Sequence, residues 1–460
     1  MKRILAVVLS AVMVLSLAAC SQPAAETTAA VPAATTAAAA ATEAAPAATE
    51  APAAEHEPIT ISMWIDTLVP KTDLLLSEDQ WWLNEAIGRF QEKYPYVTVD
   101  ITLESDIAES NNLFRTASLA GTAPDIMETW SGNWTTDLKD YVLPIYDMLS
   151  DEARNRISGW EAVSVGFDET KEKVGCPTPH QGFGCLYYNK EIIAAAGLDF
   201  ENNPPKTTEE FAAACEAIKA AGYTPILSNE ANEKGVFYNV ALYWWLQQVG
   251  YATFNEETAG TKKYSEDQAL IDFLNFYASL YQKGYYNEDT FSSDDAQSRF
   301  MVGEGAMFAA YCSRIPALYE AMGDNVGVIK PTDMNLNGVM TNKLIGGAGQ
   351  ALVVSKDTKY PEECIALIEH LTSVEEFVYY FKHDPSKFPN IKGVNVSDLG
   401  DIDPVTSKLI GWAGDVTLWP DNCIDGDAIT ELGRYLPDLM SGKKTAEEVA
   451  AVMDAAIANK

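Results

Sequence analysis

Aromatic and polar side chains fall together in six short stretches of this sequence. They are Trp64 with Asp66, Trp130 with Asn133 and Trp134, His180 with Gln181, Glu233 with Phe237, Ser313 with Arg314, and Trp412 with Trp419 and Asp421. A polyhydroxylated ring needs both kinds of partner, because its hydroxyls pair with planar polar groups while its C–H faces lie flat on aromatic rings. Open α/β sheets collect such ligands on the loops at their strand ends. Trp130, Trp134 and Trp419 have Gly, Asn, Pro and Asp neighbours, which place them on loops. A tryptophan taken singly is more often core than platform. Trp244 continues the helical stripe of Val240 and Ala241 and is expected in the core. For Trp81 and Trp82 the expectation is one ring packing and the other capping a cleft.

Covalent chemistry has little support. The sequence contains no G-x-S-x-G, H-E-x-x-H or G-x-x-x-x-G-K-[ST], and only four histidines. Gly347-Ala348-Gly349-Gln350-Ala351 is a poor dinucleotide loop, because a strand rather than a helix follows it. The stretch from Asp421 to Asp427 fails as a calcium loop, with Cys423 at its third position and Leu432 where a bidentate Glu belongs. No catalytic residue, metal site or cofactor is expected. One enzymatic alternative stays open: with 66 acidic residues, two carboxylates across a cleft would make a glycoside hydrolase.

The 460 residues leave room for two domains with separate cores. The formal net charge of −34 excludes nucleic acid and anionic lipid as partners, since both require clustered Lys and Arg. Basic residues among the candidates reduce to Arg314, which disfavours an anionic ligand. Lys2 and Arg3 precede an apolar run over residues 4–17, shorter than the ~20 residues of a spanning helix. It ends in Leu17-Ala18-Ala19-Cys20, which matches the bacterial lipobox. Residues 1–19 therefore read as a signal peptide, with the Cys20 thiol lipidated and anchoring the chain to the membrane. The duller reading is an ordinary signal peptide with a chance cysteine. Residues 20–57, rich in Ala, Pro, Thr and Glu, are expected to be a disordered tether. Six further cysteines show no metal spacing; Cys176 and Cys185 flank a turn and are the one pair worth testing for a disulfide, against six idle thiols.

The elements that must position these residues alternate. Residues 59–64 read as a strand, a helix carries Trp82, Leu83, Ala86, Ile87 and Phe90, and residues 97–103 form the next strand. That spacing is a right-handed βαβ unit. An amphipathic run over 294–301 leads into Gly303-Glu304-Gly305, and residues 306–310 form a short buried strand with Ser313 and Arg314 at its exit.

Five strings recur in this order: A-G-T-A-P-D-I (120–126), L-Y-Y-N-K (186–190), P-P-K-T-T-E-E-F (204–211), F-x-x-G-x-x-A-M (300–307) and L-x-x-L-M-S-G-K-K-T-A-E-E-V (436–449). Together they resemble the extracellular solute-binding proteins of ABC importers, of the maltose-binding type. The resemblance implies a two-lobed α/β fold of type II, each lobe a mostly parallel sheet flanked by helices. It implies crossovers near 178–181, 345–350 and 394–402. One lobe would hold residues 58–178 plus 349–398, the other 179–348 plus 399–460. The glycine-rich second crossover adds Gly347 to the ligand-facing residues. In the family an aromatic often follows the short strand; Ser313 and Arg314 stand there instead, which suggests hydrogen bonding. A monomer is implied that closes over a sugar and is recognised by transmembrane permease subunits, on the outer face of the cell membrane. Trp64, Trp130, Trp134, Phe237, Trp412 and Trp419 lie on at least four separate loops. That spread suits a neutral oligosaccharide. The alternatives are a peptide or polyamine as solute, or a surface polysaccharide hydrolase.

Overall fold

The computed structural model describes residues 56–458 apart from Ser105. The signal peptide, Cys20 and nearly all of the tether lie outside the described residues.

Strand β1 (Ile59–Ile65) buries Ile61, Met63 and Ile65 by simple alternation. The helix Trp82–Lys93 then returns the chain, with Trp82, Leu83, Ala86, Ile87 and Phe90 on its buried face. Strand β2 (Val97–Leu103) lies parallel to β1, from Ile59 opposite Val97 to Ile65 opposite Leu103. Strand β3 (Ile126–Trp130) flanks β1 on its other side, also parallel, and β4 (Cys176–Pro177) forms the far edge of this sheet.

Two residues further on the chain enters a second sheet. Strand β5 (His180–Asn189) is its longest member, and β6 (Thr224–Leu227), β7 (Gly305–Tyr311), β8 (Val326–Ile329) and β9 (Gly346–Gly347) follow. Strand β10 (Gln350–Val354) then crosses back and inserts between β3 and β4. The helices Pro361–Leu371 and Val374–His383 cover the first sheet before β11 (Phe388–Pro389) pairs with the start of β5.

Both sheets are mixed, which corrects the expectation of mostly parallel ones. Only β1 with β2 and β3, and β6 with β7, run parallel; β10 is antiparallel to β3 and β4, and β5 to β7, β8, β9 and β11. The reason is where these strands begin. Strands of βαβ units end at the gap between the sheets, whereas β5 and β10 arrive through that gap and start there.

One apolar core underlies the first sheet and includes Ile61, Met63, Trp82, Phe90, Leu367, Phe377 and Tyr380. The second sheet is covered on both faces. Leu186, Tyr188, Met307 and Ala309 point into one cluster, and Cys185, Tyr187, Phe308 and Ala310 into another. Burial on both faces explains why β7 reads as an unbroken apolar run. Trp244 is fully buried, as its stripe implies. Trp81 and Trp82 both pack in the first core, so neither caps a cleft. Cys176 lies on the first sheet and Cys185 on the second, and all six described cysteines are buried free thiols. Among the described residues no helix is long and apolar enough to cross a membrane.

Candidate functional site

The gap between the sheets holds a cleft of about 340 Å³. Trp130, at the carboxyl end of β3, and Gly349 with Gln350, at the start of β10, line it from the first sheet. The second sheet contributes Gly182 on β5, and Tyr311, Cys312 and Ser313 where β7 ends. Trp419, Asp421 and Asn422 wall it from the short helix Pro420–Cys423 and the residue before it. Ser386 and Lys387 complete it from the turn that precedes β11.

Three rings give the cleft its apolar surfaces. Tyr311 is 43% exposed and meets Trp419 with ring centroids 5.5 Å apart. From the other side Trp130 projects, held edge to face against Trp134 at 5.0 Å. Two glycines lie beside Trp419, and a Cβ on either would meet it at ordinary contact distance, 3.4 Å from Nε1 for Gly349 and 3.8 Å from Cζ2 for Gly182.

The polar wall is nearly neutral in sum. Burial raises the Asp421 carboxyl to about 6, against the opposing effect of backbone N–H groups of residues 421 and 422. Lys387 forms no ion pair with any described residue; its charge acts on Asp66, which burial holds above the usual carboxylate range. Arg314 does not line the cleft; it pairs at the surface with Glu233, 3.6 Å away.

A sequence profile of the bacterial extracellular solute-binding protein family matches residues 85–404. The chain belongs to that family. Its members are binding proteins that act outside the cytoplasm, and this solute-binding protein is exported accordingly. It is 24% identical over 298 residues to the sn-glycerol-3-phosphate-binding periplasmic protein UgpB of Pectobacterium atrosepticum, covering 60% of this chain and 62% of that protein's length. In fold it is similar to a chitin oligosaccharide binding protein, with a TM-score of 0.69 at 21% identity over 87% of this chain and 98% of the other. A family 1 extracellular solute-binding protein from Bifidobacterium longum subsp. infantis gives a TM-score of 0.70 at 18% identity, over 88% and 100%. The two solved structures share the α/β fold of this chain.

Of the sequence candidates, Trp130, Ser313, Trp419 and Asp421 line the cleft of the solute-binding protein. Trp134 supports Trp130 from the helix Asn133–Thr136, which Asn133 begins. Asp66 stands on the loop after β1, whose backbone is pinned by the buried Glu128: its carboxylate accepts from Asp66 N at 2.8 Å, Thr67 Oγ1 at 2.6 Å and Leu68 N at 3.0 Å.

The others fall elsewhere. Phe237 is fully buried against Tyr238, Phe273 and Tyr277, because its helix turns that face into the second sheet's core. His180 is 1% exposed and stacks on Tyr380 at 5.0 Å; burial drives its pKa well below the ordinary value. Gln181 is likewise buried and ties two returning segments together, its Nε2 donating to Pro389 O at 2.7 Å and Ala413 O at 2.8 Å. Trp64 packs beside Phe114 and Met127 under the first sheet. Trp412 lies under Lys330 and Lys408, away from the cleft, and Gly347 and Glu233 do not line it.

Tyr311 is the chief residue missed. It is the last residue of β7, so it occupies the aromatic position assigned above to Ser313 and Arg314. The signal was present in the order Ala309-Ala310-Tyr311-Cys312, where one large ring follows two small buried residues. Lys387, Gln350 and Asn422 carry no local signal, since only the crossing of the chain brings them to the cleft.

Proposed function

We propose that this solute-binding protein captures a neutral oligosaccharide and delivers it to the permease of an ABC importer. The observation that carries this reading is the pairing across one cleft of Trp130 from the first sheet with Tyr311 and Trp419 from the second. Rings on both walls, with Ser313, Gln350 and Asn422 between them, suit a chain of sugar units held by face stacking and hydroxyl pairing. One lysine and one aspartate nearly cancel, which favours a ligand without net charge and disfavours a polyamine. Similar proteins, among them a chitin oligosaccharide binding protein, point the same way.

The division into lobes of 58–178 plus 349–398 and 179–348 plus 399–460, closing at the crossovers, belongs to this proposal. So do the monomeric state, lipidation at Cys20 and anchorage on the outer face of the membrane. Hydrolysis is disfavoured because, among the described residues, Asp421 is the only carboxylate lining the cleft, and a glycosidase needs two. A second reading, a phosphorylated polyol, draws on unpaired Lys387 and on the UgpB relatives.

A thermal-shift panel of mono- and oligosaccharides, with sn-glycerol 3-phosphate included, tests the assignment. A cognate ligand at a hundredfold excess over Kd adds about 2.7 kcal/mol to stability. Labelled oligosaccharide should be recovered intact. Shortened product would establish the hydrolase instead, and stabilisation by the phosphate alone would establish the second reading.

A further inference from the structure

Residues 163–174 turn back on themselves, with Val165 N donating to Glu172 O at 3.0 Å and Val174 N to Val163 O at 2.9 Å. The base of this hairpin belongs to the first sheet, since Val163 packs in that sheet's core and Val174 in the cluster beneath it. Its tip does not. Phe167 is 7% exposed and packs into one of the clusters that cover the second sheet. There its ring meets that of Tyr251, with centroids 5.7 Å apart and planes tilted by 56°. Beside it Asn255 Nδ2 donates to Gly166 O at 2.9 Å.

Two unusual backbone conformations bring these rings together. Phe167 has a φ of +59°, a left-handed conformation that is costly for a bulky residue. Tyr251 follows Gly250, which interrupts the helix Leu242–Thr258 with a φ of +69° and a ψ of 177° that suit glycine alone. Such backbone persists only where its surroundings over-determine it, and it gathers at binding sites and switches. Neither ring lines the ligand cleft. Tyr251 reaches it through one atom, for its hydroxyl accepts from Leu418 N at 2.6 Å. Leu418 begins the strip that carries Trp419, Asp421 and Asn422 into the cleft.

We propose that Phe167 and Tyr251 form a clasp that positions Trp419, and that they set the affinity of the cleft without touching its occupant. This rests on the reading of the cleft as a saccharide site. The contacts run from the first-sheet hairpin through two rings and one hydrogen bond to the strip bearing Trp419. The rings come from opposite sides of the crossovers, so parting the sheets breaks the clasp and frees that strip. Phe167 and Tyr251 are therefore positioning residues, and their effect must pass through Trp419.

The clasp is tested first on the full chain without saccharide, by amide hydrogen exchange. Tyr251→Phe keeps the ring and removes the acceptor, so Leu418 N–H should exchange about tenfold faster. Thr417 N–H, which donates to Leu344 O at 2.7 Å, should be unchanged. Phe167→Ala and Phe167→Gly should also speed Leu418. The glycine variant suits the left-handed backbone and keeps the test decisive should the alanine variant fail to fold. Calorimetry with triacetylchitotriose then supplies a double-mutant cycle. Tyr251→Phe should weaken binding about fivefold in the parent, yet change nothing further in Trp419→Ala. Parental exchange at Leu418 in the Tyr251 and Phe167 variants overturns the proposal, and so does an equal loss of affinity in both backgrounds. If triacetylchitotriose does not bind the parent, the saccharide reading fails for that sugar, while exchange at Leu418 still decides the clasp.

Discussion

The main chain of Gly132 lies directly against that of Asn422. A Cβ added at Gly132 would stand 2.5 Å from the Asn422 carbonyl oxygen, and Gly132 has a φ of +73°. Gly132 follows β3 of the first sheet, whereas Asn422 belongs to the short helix beside Trp419. The contact therefore brings the two walls of the cleft together at one backbone crossing. Gly132→Ala should push the walls apart and add the ~1 kcal/mol or more that a side chain costs in left-handed backbone. We expect at least a tenfold loss of ligand affinity by calorimetry, with secondary structure unchanged. Parental affinity would mean that this contact does not govern the cleft.

Trp130 and Trp419 present rings from opposite walls. Removing either should cost roughly 0.5–1.5 kcal/mol beyond the lost area, if the magnitude for aromatic pairs carries over to sugar faces. Trp130→Ala and Trp419→Ala should therefore weaken an oligosaccharide more than its monomer. Phe237→Ala, by contrast, should lower stability by about 3–5 kcal/mol, because it empties a fully buried site.

Asp421 makes binding depend on pH. Its carboxyl titrates near 6 rather than at the ordinary 3.8, because desolvation favours the neutral form. Above pH 6 it accepts as a carboxylate; below, it is protonated and loses the stronger charge-assisted bond. Net values of about 1.5–3 against 0.5–1.5 kcal/mol imply a loss of roughly fivefold to tenfold as pH falls through 6. Asp421→Asn should flatten this profile, and a parental slope in that variant would move the titration to another group.

Glu257 should govern part of the stability profile. It is fully buried, and desolvation, then the charge of Asp267, raise its carboxyl to about 8, with Lys262 opposing. The unfolded chain releases this proton near 4.5, whereas the folded chain keeps it until about 8. The folded state thus binds more protons across that window, and stability falls as pH rises through it. Glu257→Gln does not titrate and should gain on the order of 2–3 kcal/mol over the parent at pH 9, but nothing at pH 4. Denaturant unfolding at both pH values measures the difference.

Anchorage should depend on one thiol. Cys20→Ser should release the protein into the soluble fraction, with its ligand affinity intact. Retention of that variant on membranes after a high-salt wash would reject lipidation at Cys20.

The order of elements was legible because its signals are local. Alternation in Ile59–Ile65 and the stripe from Trp82 to Phe90 depend only on the period of strand and helix. Trp130, Ser313, Trp419 and Asp421 could be placed at the cleft because Gly, Asn and Pro neighbours, or a strand's end, put them on loops. Tertiary structure alone decided which way other rings face. Phe237 has polar neighbours in sequence, yet its helix buries it, and His180 and Gln181 start a strand covered on both faces. Lys387 and Gln350 reach the cleft only because the chain crosses between sheets more than once, joining residues far apart in sequence. No local pattern encodes that meeting, since it depends on how two separately packed cores come to share one gap.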